Sequence, residues 1–586
     1  MSADLGRPMN NAGTWWLKGA WIELGIARAV VDVIEDACQR YRTGSDTPLR
    51  VLTHTRLVLA RKNETLAFLP LFENMTRLVH LDTYDDDGLD GLTESPQVYR
   101  SKTMERYLTE LTQLKIATAL GQALACCYWR AWYQDENIPE RYVFYVDMHE
   151  KVIWTSKPSP VGFVSARHEV HACLKQVFVH GRNGHPLLCL TYPADVHLSE
   201  VVVEVALTLE QAIGQAVVQV VVTDREGLSV EVLQGLLEHD KKALVALLRA
   251  NQYAGEADFG RHGRFRQIED PRTGQPTHRV ADADFELTAG LTVRAGLMYD
   301  LERPDVLMAL LATVDREQEA DIRRIARWYL DRWNAQENSF RDQIAFVHLN
   351  TNFGLRAKRE VPDRRIVKRV ADLTAHLEAV KRKLDSKVAR LADQERRIHN
   401  LTSRYDKKVA RLLRPRQRQG PQAAARAARR EQQLPDHQQR YHQRLTRYLK
   451  HKTKLEQEIE AHRQEQARVV DELARLNPHA TFFEVDTEKD QITAHLRIGL
   501  HNSALWARDH YFGSDYWHAT PLTLWRTFFN QDGFYRKTAD RIVITLKPLR
   551  DAHTQQEAIE ACQRFNTRQI RTLPGKTIEM HVVESI

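Results

Sequence analysis

The chain of 586 residues is poor in the features that would assign it quickly. Its six cysteines, Cys38, Cys126, Cys127, Cys173, Cys189 and Cys562, show no CxxC spacing, which excludes a zinc ribbon and a disulfide framework and suits a reducing cytoplasm. The start does not resemble a signal peptide. The longest apolar stretch, Val201 to Val222, is broken by Glu204 and Glu210, so no membrane span is expected. Apolar residues at 43% and charged residues at 27% exclude wholesale disorder, and the length calls for two to four domains of roughly 150 residues each.

What is present in excess is positive charge in one place. The formal net charge is only +7, but Arg356 to Arg475 holds 33 Lys and Arg against 16 Asp and Glu, a local net of +17 that leaves −10 for the rest. A polyanionic partner is expected for that segment.

Along the chain, residues 1–135 read as helices, with the acidic turn YDDDGLDGLTESP before YRSKTMERYLTEL; this pattern suits either a helix-turn-helix that reads DNA ends or a plain helical bundle. Residues 136–241 alternate strands and helices, with the continuous apolar runs of centrally buried strands. A β-rich insertion is expected over 242–315, and one long helix from Arg316 to Val347 within 316–363. From Ile366 an apolar seam runs through Val370, Leu373, Leu377, Val380, Leu384, Val388 and Leu391. A second runs from Tyr441 through Leu455 and Ile459 to Leu476, so 364–477 reads as a basic antiparallel coiled-coil hairpin. An α/β region, 478–586, follows.

Three acidic residues stand in places where acids need a reason. Asp147 follows the apolar run Val143 to Val146, and Asp224 follows Val217 to Thr223; alone, each would be a loop cap. Glu337 shares a helical face with Ile322, Ile325, Tyr329, Trp333, Phe340, Ile344 and Val347, where a carboxylate costs desolvation unless a cation compensates it. Two carboxylates at strand ends and one on a covering helix are what oxygen-preferring divalent ions require for phosphodiester chemistry. His149, two residues past Asp147, reads as a loop histidine or an accessory group, and Glu226 is a rival third acid ranked below Glu337 because it is too close in sequence to Asp224.

Taken together, VFYVDMHEK, VVVTDREGLS and RWYLDRWNAQENSF resemble the DDE transposases of bacterial insertion sequences, over about residues 60 to 580. The resemblance implies a ribonuclease-H-like catalytic core and Mg²⁺ or Mn²⁺ held by Asp147, Asp224 and Glu337. It also implies DNA-phosphate contacts from Tyr329 and Arg332, cleavage at transposon ends with strand transfer into double-stranded target DNA, and a homodimer near the nucleoid. The chain departs from the family in having four residues, not three, between Arg332 and Glu337, and in having Ile344 where a lysine is usual, with Arg341 the candidate substitute. The alternative reading is a catalytically silent DNA-binding or structural protein of the same descent.

Overall fold

The computed structural model describes residues 6–44, 47–72, 77–84, 87–134, 143–155, 159–239, 241–271, 273–288, 291–352, 360–414, 421–483 and 485–583. They form two compact units, Met1–Arg359 with Phe483–Ile586, and Glu360–Phe482. The architecture is mixed α/β with a long helical pair, and among the described residues no helix is long and apolar enough to cross a membrane.

The first unit begins with strand β1 (Arg7–Met9) and helices α1 (Thr14–Glu23), α2 (Ile26–Gly44), α3 (Arg56–Phe68), α4 (Asp87–Leu92), α5 (Ser101–Gln113) and α6 (Ala117–Trp132). Gly25, at φ +75°, ends α1 and lets the chain turn into α2. Helix α5, which the sequence suits either to reading DNA or to plain packing, buries Met104, Tyr107, Leu108 and Leu111; its outer face mixes Lys102 and Arg106 with Glu105 and Thr109 and carries no basic stripe.

A mixed ten-stranded sheet follows. Its strands are β2 (Val143–Val152), β3 (Val161–Val164), β4 (Glu169–His180), β5 (Pro186–Pro193), β6 (Val220–Thr223), β7 (Ala243–Leu247), β8 (Arg266–Glu269), β9 (Pro276–Thr288), β10 (Leu291–Asp300) and β11 (Arg303–Ala312). The order is β3-β4-β2-β6-β7-β11-β10-β9-β8, with β5 also on β4. Strands β2, β6 and β7 are parallel, whereas β4 runs antiparallel to β2 and to β5. Helices α7 (Leu198–Ile213) and α8 (Val230–Glu238) connect β5 to β6 and β6 to β7. The β-rich stretch between Arg266 and Ala312 extends this sheet, because β11 pairs with β7. Its strands reach thirteen residues in β9.

The expected long helix after Arg316 is interrupted. It consists of α9 (Ile322–Arg332), a π-helical turn Trp333–Glu337, and α10 (Asn338–Val347).

The second unit holds a short ribbon of β12 (Glu360–Pro362) and β13 (Thr481–Phe483) and two long helices, α11 (Arg364–Leu413) and α12 (Pro421–Arg475). Pairs of Arg369 with Glu472, His376 with Glu465 and Lys387 with Glu458 fix them as antiparallel. Val388, expected in the seam, is 44% exposed, and the half-buried Lys387 takes that level instead.

The chain returns to the first unit through α13 (Thr487–His510), α14 (Pro521–Leu524), β14 (Gly533–Lys537), β15 (Arg541–Leu546), α15 (Ala552–Thr567) and β16 (Thr577–Val582). The terminal strand β1 pairs with β14, so stretches 1–135 and 478–586 share one sheet and one core. Helix α13 packs against α1, α3, α6 and β5 and is buried all round, although it is rich in polar residues. Two of those polar groups tie the helix to the sheet. Asp490 accepts from Lys151 Nζ, from Gln176 Nε2 at 2.7 Å and from Thr191 Oγ1 at 3.3 Å; Asn502 Nδ2 donates to the Pro186 carbonyl at 2.8 Å. Lys151 and Asp490 are 2% and 3% exposed at the side chain. Asp490→Ala strands a buried ammonium, and the expected cost is about 3–5 kcal/mol, read as a lowered urea midpoint of the first unit; an unchanged midpoint would show the pair to be dispensable.

Candidate active site

The sheet positions the two aspartates. In β2 the run Val143 to Val146 is wholly buried, as are all four residues of β6. Their parallel register pairs Val146 with Thr223, after which β6 stops while β2 continues to Val152 along β4. Asp147 therefore lies within a strand, not beyond its end as the sequence suggested. It stands level with Asp224, on a neighbouring strand about 4.8 Å away. Asp224 caps the turn Arg225–Gly227 by accepting the Arg225 N–H at 2.7 Å. The turn is tight enough to require glycine, since a Cβ on Gly227 would meet Thr223 Oγ1 at 2.4 Å.

The interrupted helix supplies the rest. Its inner side carries Ile322, Ile325, Ala326 and Trp328 before the π-turn and Phe340, Gln343 and Val347 after it. The five-residue π-turn absorbs one extra residue, so Arg332 and Glu337 face the same way although four residues separate them. Trp333, expected on the inner face, is instead 63% exposed.

Arg332 is the hub. Its Nη1 donates to Asp147 Oδ2 at 2.9 Å, its Nη2 lies 3.7 Å from Glu337 Oε1, and its guanidinium carbon is 5.7 Å from the centre of the Tyr329 ring. Asp147 also accepts the Met148 N–H at 2.8 Å. Burial raises the Asp147 carboxyl to about 7; Arg332 and the Met148 N–H oppose the shift, while Glu337 and Asp224 add to it by repulsion. Burial works against the charge of Arg332, but Asp147, Tyr329, Asp224 and Glu337 outweigh it and raise that pKa further. Burial also pushes the Tyr329 hydroxyl up to about 12. The structure thus gathers Asp147, Asp224, Glu337, Tyr329 and Arg332 into one electrostatic cluster. The Glu337 side chain is 38% exposed, so it borders the cluster from its open side.

Other expected residues stand apart. Arg341 is exposed, donates to Asn338 Oδ1 at 2.9 Å and forms no ion pair with Asp147, Asp224 or Glu337. His149 bonds Asn350 Oδ1 at 2.6 Å and stacks on Phe340, an anchored histidine kept neutral by burial. Glu226 is exposed; it opposes Glu150, farther along β2, whose pKa is raised by burial and then by Glu226.

Among the described residues no group of three or more His, Cys, Asp or Glu side chains is drawn together closely enough to hold a metal ion. The geometry gives the reason: the Arg332 guanidinium lies between Asp147 and Glu337 and provides the positive charge there. The donor chemistry still suits a hard divalent cation, because the site offers three carboxylates. No protein-family model matches the chain, and no curated protein matches it.

Proposed function

We propose that the protein is a DNA transposase of the DDE type, which cleaves strands at the ends of a mobile element and joins the freed 3′-hydroxyl to target DNA. The observation that carries the reading is the level placement of Asp147 and Asp224 on adjacent parallel strands, with Arg332 linking Asp147 to Glu337. The sheet supports it: the order β5-β4-β2-β6-β7, three antiparallel strands followed by two parallel ones, with helices between the later strands, is the arrangement expected of a ribonuclease-H-like core.

In this reading Asp147, Asp224 and Glu337 hold Mg²⁺ or Mn²⁺, which would activate a water or sugar hydroxyl and stabilise the leaving oxygen. Arg332, released from Asp147, binds a non-bridging phosphate oxygen through its planar fork, and the Tyr329 hydroxyl is placed to do the same. Trp333 offers an exposed ring on the π-turn between Arg332 and Glu337. The enzyme acts on double-stranded DNA, as a homodimer on paired ends.

A second reading has its own observation. Arg332 already compensates Asp147 and Glu337, so the cluster is stable without an ion, as a silent descendant of the fold requires. Incubation of the protein with Mg²⁺ or Mn²⁺ and DNA spanning both flanks of its coding region, where a transposase requires inverted repeats, separates the two. Metal-dependent nicking at the repeat boundary supports the transposase; binding without nicking supports the silent protein. For the active enzyme, Arg332→Ala is expected to lower the cleavage rate about 100-fold or more, while Arg332→Lys, which keeps charge but not the fork, recovers only part of it. Equal rates for Arg332→Ala and wild type would remove Arg332 from phosphate binding.

A further inference from the structure

The positive charge of the helical hairpin is not spread along it. In the half near the ribbon, residues 364–395 and 448–475, Lys and Arg number 15 against 11 Asp and Glu. In the described part of the other half, 396–414 and 425–447, they number 13 against 3. The pairing follows the same division. The ion pairs that join the helices, Arg369 with Glu472, His376 with Glu465, Lys387 with Glu458 and Lys452 with Glu395, all lie in the first half. In the distal half Arg404, Lys407, Lys408, Arg440, Arg444 and Arg447 are exposed and form no ion pair with a described residue.

Packing divides at the same level. Leu373, Val380, Gln394, Leu455, Ile459 and Val469 are buried between the helices, and all belong to the first half. Beyond the Gln394 bond to the Tyr448 carbonyl, no described side chain of the hairpin is buried. There the helices meet through the Tyr405–Tyr441 stack, at 4.0 Å between ring centres, while Arg430 is half-buried and Pro435 interrupts the hydrogen-bond ladder of α12. Arg404 and Arg440 are the chain neighbours of the two stacked rings, one on each helix, so both helices carry cations at this level. A spacer needs none of this, since unbalanced like charge weakens a helix pair.

We propose that the distal half of the hairpin is a clamp for the phosphate backbone of duplex DNA, and that the paired half is its stem. The inference rests on the DNA-directed reading above. Residues 396–414 span roughly 28 Å at 1.5 Å per residue, most of the 34 Å of one B-DNA turn. A second copy of this chain is a poor occupant, because two such surfaces would repel each other.

The test uses the full chain and duplex DNA spanning the same flanks of the coding region, with affinity measured across a range of salt concentrations. Replacing the six distal residues together, Arg404→Gln, Lys407→Gln, Lys408→Gln, Arg440→Gln, Arg444→Gln and Arg447→Gln, is expected to flatten the log-log salt slope by about three to five units. A control set of unpaired cations in the stem, Lys368→Gln, Lys381→Gln, Lys383→Gln, Lys454→Gln, Arg463→Gln and Arg468→Gln, should move it by about one unit or less. Circular dichroism should show an unchanged helical signal for both, since none of the twelve side chains is buried. An unchanged slope for the distal set, equal changes for both sets, or loss of dimerisation at unchanged slope would each overturn the clamp. Metal-dependent nicking by the wild type, measured on the same DNA, keeps the two readings apart. Nicking with an unaltered distal slope defeats the clamp alone; a flattened slope without nicking defeats the catalytic reading alone.

Discussion

Asp147→Asn, Asp224→Asn and Glu337→Gln are each expected to lower metal-dependent strand cleavage about a thousandfold or more, with binding to the same DNA unchanged or tighter. A thousandfold loss corresponds to about 4 kcal/mol of transition-state stabilisation, the scale on which a bound divalent ion acts. Binding should survive because Lys and Arg contacts to phosphate supply most of the affinity, and each substitution removes a negative charge from a surface that faces DNA. The amide variants preserve shape, so Asp147→Asn or Asp224→Asn leaves β2 and β6 in register and tests charge alone. Glu226→Gln is the internal control: Glu226 is exposed and opposes Glu150 rather than Asp147, so cleavage should remain within a few-fold of wild type. Near wild-type cleavage by any of the three variants would remove that residue from the site, and collapse of Glu226→Gln to the same level would transfer the role to Glu226.

The site was partly legible in the sequence because burial signals for acids are coarse but real. An aspartate after an unbroken apolar run marks a position beside buried strands: Asp224 does directly follow β6, and Asp147, although it lies within β2, stands level with it. The position of Trp333 was not legible. A 3.6-residue period carried across Trp333–Glu337 places the tryptophan inside, but the π-turn advances the helix by an extra residue and turns it out to 63% exposure. The same turn accounts for the irregular spacing of Arg332 and Glu337. No local propensity announces it. It occurs where the β4–β5 loop approaches, with Gly184 close against the backbone of Ala335.

For the fold, long periodic signals were the readable ones. The hairpin seam and the central strands emerge from apolar spacing alone. What could not be read is which segments share a core: β1 and β14 meet across more than 500 residues, and nothing in either short strand names its partner. Helix α13 was hidden for a related reason. Its Asp490, His495, Arg497 and His501 look like a solvated surface, yet all are buried because partners from distant segments or neutrality removes the cost.

Mild acid is expected to unfold the first unit, through four histidines buried without charge. His180, His185 and His501 are lowered to about 3 and His495 to about 4, in every case chiefly by burial. Arg508 lowers His185 and His501 further, His501 disfavours protonation of His180, and both disfavour protonation of His185; Asp490 and nearby backbone groups pull His495 back only partly. A histidine whose pKa is lower in the folded state leaves stability intact above the unfolded value of about 6.5. As pH falls below that value the unfolded chain takes up protons that the folded chain refuses, and the loss continues down to the folded value. Each histidine then removes about 1.4 kcal/mol per pH unit, and Asp147, raised to about 7, works in the opposite direction and offsets about one of the four. These five groups alone give a slope of about 4 kcal/mol per unit; His54, also lowered, adds to it, and the raised carboxyls Glu64, Glu150, Asp331 and Asp342 oppose it. Urea midpoints measured at pH 7.5, 6.5, 5.5 and 5.0 should be flat over the first interval and fall steeply after it, and His501→Asn should remove about one proton from the slope. Midpoints that stay level down to pH 5 would mean that these rings are charged or solvated in the folded protein.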